Sequence, residues 1–265
     1  MKYLTEQQIK KYQNDGFLLL KQFFSKDELE SINKSIEKFS KMKPSDWKLG
    51  KEMVYYETDT ENERILCRIE KCIDYHQEFQ KLAKSDRILN VLEDLMGGPC
   101  ILFKDKINFK RPNGGGFRPH QDVNARWDDF VKYTMSVMIS TDQSTTENGC
   151  LEIAPGQHKR GLVGKYFRPL EGNDLKGMKF EKIITEIGDT LFFDHFTPHQ
   201  SKANKSNKPR SNIYLTYNLL SNGDHRDEYL DRKRRELPPD NERSAGIEFN
   251  DSPIHEAKYK ETKKS

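Results

Sequence analysis

The chain has 265 residues, of which 34% are hydrophobic and 33% charged, and a formal net charge of +3. This length suits one large domain or a core with appendages. The small cationic excess gives no electrostatic case for nucleic-acid binding, and no apolar run approaches the ~18 residues that cross a membrane. Met1–Gln7 shows no secretory pattern, so Cys67, Cys72, Cys100 and Cys150 are expected as reduced thiols in a cytoplasmic protein. The spacing of Cys67 and Cys72 is not that of a zinc pair.

Thr5-Glu6-Gln7-Gln8 has capping-box form, and Leu4 can staple onto Ile9, so a helix is predicted to about Gln13. Asn14-Asp15-Gly16 breaks it, and Phe17-Leu18-Leu19-Leu20 reads as a buried strand. Ser25-Lys26-Asp27-Glu28 is a second capping box. It opens an amphipathic helix with Leu29, Ile32, Ile36 and Phe39 on one face. From Lys41 to about Glu63 a polar, irregular stretch is expected. Ile65–Ile69 reads as a strand. Glu78–Met96 reads as one helix, ended by Gly97-Gly98-Pro99.

From Cys100 the texture changes to short strands separated by turn residues, the pattern of a sandwich or jelly roll. These strands are Ile101–Lys110, Tyr133–Ser140, Cys150–Ala154, Ile183–Ile187, Thr190–Phe193 and Asn212–Leu219. After Gly223 the chain is highly charged. A helix is predicted over Asp227–Glu236, where Arg232-Lys233-Arg234-Arg235 reads as a solvated face.

The chemistry concentrates at Pro119-His120-Gln121-Asp122 and Pro198-His199-Gln200-Ser201. His120 and Asp122 flank one residue, so on a strand both project from the same face. Adding His199 completes two imidazoles and one carboxylate, the donor set of a facial iron site with open positions. Arg210 offers a planar fork for a carboxylate. His195 reads as a neighbour that packs against or lines the pocket. His76, His158, His225 and His255 have no partner pattern. The same three donors would also serve a zinc hydrolase or a cupin-like binding module without turnover.

Three series carry a family resemblance: Gly116-Phe117-Arg118-Pro119-His120-Gln121-Asp122, then Glu147-Asn148-Gly149-Cys150-Leu151 with Pro155-Gly156-Gln157-His158, then His199–Ser206 with Arg210. Together with Asp15-Gly16-Phe17 they resemble the phytanoyl-CoA dioxygenase family, over about residues 4 to 240. A narrower likeness, in Asp105–Lys110, Tyr214–Asn218, Gly223–Arg226, Tyr229, Lys233-Arg234 and Pro238-Pro239-Asp240, is to the branch containing 2-aminoethylphosphonate dioxygenases.

The resemblance implies Fe(II) held by His120, Asp122 and His199, with 2-oxoglutarate and O2 as cosubstrates. It implies that Arg210 takes the far carboxylate of 2-oxoglutarate with help from Ser201. Asn108 and Thr134 are further cosubstrate candidates, and Arg68, Lys106, Gln121 and Asn218 are substrate candidates. Halogenases on this scaffold have a small residue where Asp122 stands, so hydroxylation is expected. The expected substrate is a small molecule, with 2-aminoethylphosphonate or a related zwitterion first and an acyl chain, an amino acid or a secondary metabolite as rivals.

The expected fold is mainly β with flanking helices, a double-stranded β-helix or cupin-like jelly roll. Residues 1–265 are read as one catalytic domain. Within it, 1–99 pack on a roll formed by 100–222, and 223–265 form a charged extension.

Overall fold

A computed structural model describes residues 2–243 apart from Thr60 and Asn62. Helix α1 (Glu6–Asp15) starts at the predicted capping box: Gln8 N–H donates to Thr5 Oγ1 at 3.3 Å, and Thr5 N–H to Gln8 Oε1 at 2.9 Å. Gly16 ends it at φ +81°, a left-handed conformation that residues with a Cβ rarely adopt. Strand β1 (Phe17–Leu20) follows. The second capping box, with Ser25 N–H donating to Glu28 Oε2 at 2.8 Å, closes a turn that leads into α2 (Glu30–Ser40). Ile32, Ile36 and Phe39 form its buried face.

Two expectations fail in the next segment. The stretch to Glu63 is not irregular throughout: it contains β2 (Met53–Thr58), which pairs antiparallel with β3 (Arg64–Glu70). Its apolar run, Met53 to Tyr56, is fully buried but sits between Glu52 and Glu57, too short for its period to stand out. The single helix predicted over Glu78–Met96 is two, α3 (Gln77–Ala83) and α4 (Asp86–Met96). They part at Ser85, whose extended backbone (φ −61°, ψ 122°) is that of an N-cap. The break lets Phe79, Leu82 and Ala83 on one side, and Ile88, Val91 and Leu92 on the other, all reach the core.

Then come β4 (Cys100–Lys110), β5 (Phe117–His120), β6 (Thr134–Ser140), β7 (Leu151–Ile153), β8 (Glu181–Ile183), β9 (Thr190–Asp194), β10 (His199–Ser201), β11 (Arg210–Leu219) and α5 (Arg226–Glu236). The strand predicted over Ile183–Ile187 lies earlier, as β8, with only a single bridge from Thr185 to Ser144 beyond it. Two antiparallel sheets result. One has the order β1-β9-β6-β11-β4-β3-β2, the other β5-β10-β7-β8. This is the expected jelly roll.

The larger sheet divides its side chains sharply. Ile69, Ile107, Val137, Ile139, Phe192, Ile213, Leu215 and Tyr217 belong to the main core, shared with α2, α3 and α4. Alternate positions point into the roll. There Met138, Leu191, Phe193 and Tyr214 meet Leu151, Ile153 and Ile183 of the smaller sheet. The rest of that inner face is polar: Arg68 and Glu70 on β3, Lys104, Lys106, Asn108 and Lys110 on β4, Thr134 and Ser136 on β6, and Arg210, Asn212, Thr216 and Asn218 on β11.

The basic run of α5 is not a solvated face. Lys233 bonds buried Glu70 at 2.5 Å, Arg232 bonds Asp129 and Arg234 bonds Glu242. Tyr229 and Leu230 of α5 bury against Met53, Tyr55, Phe103 and Trp127. All four cysteines are free thiols. No helix among the described residues is long and apolar enough to cross a membrane.

Candidate active site

His120 is the last residue of β5 and pairs directly with His199, the first residue of β10, so two imidazoles stand side by side at the mouth of the roll. The strand does not continue to Asp122, which opens a tight turn over Asp122–Ala125. Gln121 keeps an extended backbone (φ −114°, ψ 146°), and this preserves the common direction of His120 and Asp122. One donor atom from each of His120, Asp122 and His199 lies within 4.8 Å of the others.

Each imidazole is set by its other nitrogen. His120 Nδ1 bonds the Arg118 carbonyl at 2.7 Å, and His199 Nδ1 bonds the Thr197 carbonyl at 3.0 Å, which leaves both Nε2 atoms as acceptors facing inward. Ser136 Oγ donates to Asp122 Oδ2 at 2.5 Å, leaving the other carboxylate oxygen 3.9 Å from His199 Nε2. Burial, then His199, pushes His120 down to about 3, and burial lowers His199 as well. Burial opposes ionisation of Asp122, but Lys106, the two histidines and the Ser136 hydroxyl together bring it to about 2. At neutral pH the site thus offers two neutral imidazoles and one carboxylate, a donor set that fits ferrous iron with open positions.

Arg210 begins β11 on the inner face and is buried. Its guanidinium donates to the carbonyls of Gly149 at 2.6 Å and Asn148 at 3.3 Å, and no carboxylate lies within ion-pair distance of it among the described residues. Gly149 lets the Lys202 backbone pack against this turn: at φ +72°, a Cβ there would meet the Lys202 carbonyl at 2.1 Å. Lys110, opposite Arg210 in the register, bonds Ser201 Oγ at 2.7 Å. Arg210, Lys110 and Ser201 therefore gather at one end of the inner face.

The other sequence candidates divide. Asn108 lies on the inner face between Arg68 and Asn212, with its buried Oδ1 unpartnered. Lys106 faces Tyr214, its ammonium 4.8 Å from the ring centre. Burial brings its amine down to about 8, although the Asp122 carboxylate opposes that shift. Thr134 is buried with an unpartnered hydroxyl. It pairs with Asn218, at the far end of β11 from Arg210 and about 26 Å along the strand, so it does not sit beside the Arg210 end.

Gln121 does not face the pocket. Its amide nitrogen donates to the Gly161 and Phe196 carbonyls and its oxygen accepts from Val163 N–H, which ties it to backbone on all sides. Asn218 uses its amide to hold the Leu219 and Gly223 carbonyls at the exit from the sheet. His195 is fully buried against Tyr133 and Phe196.

Sequence reasoning missed Ser136, Lys104, Lys110, Glu70 and Lys233. A period-two signal was there in Lys104-x-Lys106-x-Asn108-x-Lys110, but such alternation ordinarily marks a solvent face.

The phytanoyl-CoA dioxygenase family model matches residues 12–212. The chain belongs to the phytanoyl-CoA dioxygenase family. It is similar to a 2-aminoethylphosphonate dioxygenase from an uncultured bacterium (35% identity, 94% of this chain and 95% of the relative). It is also similar to a methylphosphonate hydroxylase from Gimesia maris (34% identity, 88% and 87%). Among solved structures, EctD from S. alaskensis with 2-oxoglutarate and 5-hydroxyectoine superposes with a TM-score of 0.71 at 21% identity, covering 83% of this chain and 77% of that one. This member of the family is an Fe(II)- and 2-oxoglutarate-dependent dioxygenase. The zinc-hydrolase and binding-module readings of the same three donors therefore fall away.

Proposed function

We propose that this dioxygenase hydroxylates a small phosphonate at the carbon next to phosphorus. The observation that carries the reading is the charge at the inner end of the roll, next to the histidines. Arg68, Lys104 and Lys233 gather there on one carboxylate, Glu70, and Lys106 stands opposite Glu70 in the β3–β4 register with its ammonium over Tyr214. A doubly charged oxyanion suits such a place, and an acyl chain does not. Two relatives named for phosphonates support it.

In this reading His120, Asp122 and His199 hold the iron, and Arg210 takes the far carboxylate of 2-oxoglutarate with Ser201 beside it. Bound iron, with 2-oxoglutarate and O2, supplies oxidative decarboxylation to succinate and insertion of oxygen into a C–H bond. Ser136 fixes the Asp122 carboxylate, and the Arg118 and Thr197 carbonyls fix the two rings. Arg68, Lys106 and Asn108 receive the phosphonate. Residues 1–265 act as one catalytic domain, with α5 part of the substrate wall.

The test is succinate formation by the Fe(II)-loaded protein in air, with and without 2-aminoethylphosphonate or methylphosphonate, using His199→Ala as blank. Stimulation by a phosphonate, absent from the blank, is expected. Succinate release indifferent to every phosphonate would leave the reaction class standing and remove the substrate.

A further inference from the structure

Gln121 stands between His120 and Asp122 in the chain, and its extended backbone sends its side chain the opposite way. It is fully buried, and its carboxamide meets three stretches of main chain. The nitrogen donates to the Phe196 carbonyl at 2.6 Å and to the Gly161 carbonyl at 2.8 Å. The oxygen accepts from Val163 N–H at 2.7 Å. Both amide protons are used, so only one orientation of the group satisfies these partners.

These bonds join the two pieces of chain that carry the proposed donors. Phe196 lies in the short connection between β9 and β10, three residues before His199. Its N–H is held by Asp194 Oδ1 at 2.7 Å, Thr197 N–H bonds the Asp194 carbonyl at 2.8 Å, and the Thr197 carbonyl orients the His199 ring. The place of the Phe196 peptide is thus passed on to His199. The β5–β10 register is irregular between His199 and Ser201, so the spacing of the donors depends on contacts beyond the ladder. Gly161 and Val163 belong to the connection between β7 and β8. Further along it, Leu170 N–H bonds the Pro119 carbonyl at 2.7 Å and the Arg168 carbonyl accepts from Asn124 at 2.9 Å. The same connection therefore grips the donor pair on both flanks.

We propose that Gln121 is a positioning residue for the iron: its carboxamide fixes residues 120–122, 196–199 and 161–163 in the arrangement that brings the three donors together. The proposal rests on the assignment of His120, Asp122 and His199 as those donors. Gln121 acts through main chain rather than by touching metal or substrate. Its loss leaves two buried carbonyls and one N–H to find other partners, and the backbone on either side of the site shifts.

The test is anaerobic Fe(II) affinity, read by competition with a chelator, in Gln121→Met, which has a similar size but none of the three bonds. Tyr217→Phe is the control. It removes another buried hydrogen bond, from Tyr217 OH to the Ala83 carbonyl at 2.8 Å, in the main core. Thermal transitions of the metal-free proteins show how far each is destabilised. Gln121→Met is expected to bind Fe(II) about ten- to a hundredfold more weakly, with Tyr217→Phe as tight as the wild type. Wild-type affinity in folded Gln121→Met overturns the proposal. An equal loss in Tyr217→Phe also overturns it, because stability alone would then account for both.

If Gln121→Met does not fold, Gln121→Asn takes its place. It keeps the carboxamide but falls one methylene short, so an intermediate loss is expected, and wild-type affinity again overturns the proposal. Failure of both to fold would show that Gln121 serves the fold itself, which overturns it as well. His199→Ala separates the proposal from its premise: if that variant binds Fe(II) as tightly as the wild type, the donor assignment itself falls.

Discussion

At the scale of single residues, the site depends on groups held ready by burial. Arg210 is a buried guanidinium satisfied only by neutral groups, so its charge remains to be met by an incoming carboxylate. Arg210→Ala is therefore expected to weaken 2-oxoglutarate binding by about 2–5 kcal/mol, roughly thirtyfold to several thousandfold, while Fe(II) affinity is unchanged. Titration of the iron-loaded variant with 2-oxoglutarate checks this, and equal loss of both ligands would show a general collapse instead. Lys106 makes a pH prediction. Burial brings its amine to about 8, so it is charged below that pH and neutral above it. If it receives the phosphonate, kcat/KM at saturating cofactors declines as pH rises beyond about 8, and Lys106→Arg moves that decline to higher pH. The same lowered value has an opposite sign for the ligand-free fold. Between about 8 and the ordinary lysine range the unfolded chain binds the extra proton, so stability rises with pH there. Ser136→Ala removes the bond that orients Asp122 and is expected to cost about ten- to a hundredfold in iron affinity without loss of fold, read by competition with a chelator.

At the scale of elements, the links between β3, β4 and α5 decide how much of the pocket persists. Replacing Glu70 by Gln keeps the shape but leaves three buried cations without a counter-charge, a loss of roughly 3–5 kcal/mol. Chemical denaturation measures it, and a loss below 1 kcal/mol would mean that water or an anion already shares those cations. In the wild type the stability from Glu70 is complete above the ordinary carboxylate range and falls as pH drops through it, because the unfolded chain takes up the proton first. This cluster was also where sequence reading stopped short. The boxes at Thr5–Gln8 and Ser25–Glu28, the left-handed Gly16 and most strands were legible, because caps and alternation are local. The convergence of His120, Asp122 and His199 was legible because few other combinations of residues suit that chemistry. Lys233 was not, because a basic run on a helix has the same pattern whether it meets water or Glu70. Nor was β2, whose short apolar run lies between charged residues, nor the break at Ser85, which depends on the core that both helices must reach.

At the scale of the whole molecule, the proposed ligands add to the packing and the few hydrogen bonds, such as Ser136 to Asp122 and Lys110 to Ser201, that join the two sheets. The proposed metal donors come from β5, the turn after it and β10, all on the side of the smaller sheet, whereas Ser136, Lys106 and Arg210 come from the larger one. Iron with 2-oxoglutarate would therefore join the two sheets across the mouth of the roll, between Asp122 and Arg210. A ligand bound only by the folded state stabilises it by about 2.7 kcal/mol when present at a hundred times its dissociation constant. For a chain of this size that corresponds to a rise in Tm of roughly 5–10 °C. The expected pattern is stepwise: Fe(II) alone raises Tm, 2-oxoglutarate alone does little, and the pair raises it further, because in the proposed arrangement the cosubstrate would need both the metal and Arg210. In Arg210→Ala the iron step remains and the 2-oxoglutarate step shrinks; in His199→Ala both are lost. Thermal melts of the three proteins under anaerobic conditions separate these cases. A wild type in which 2-oxoglutarate stabilises fully without iron would place the cosubstrate away from His120, Asp122 and His199, and the bridge between the sheets would have to be abandoned.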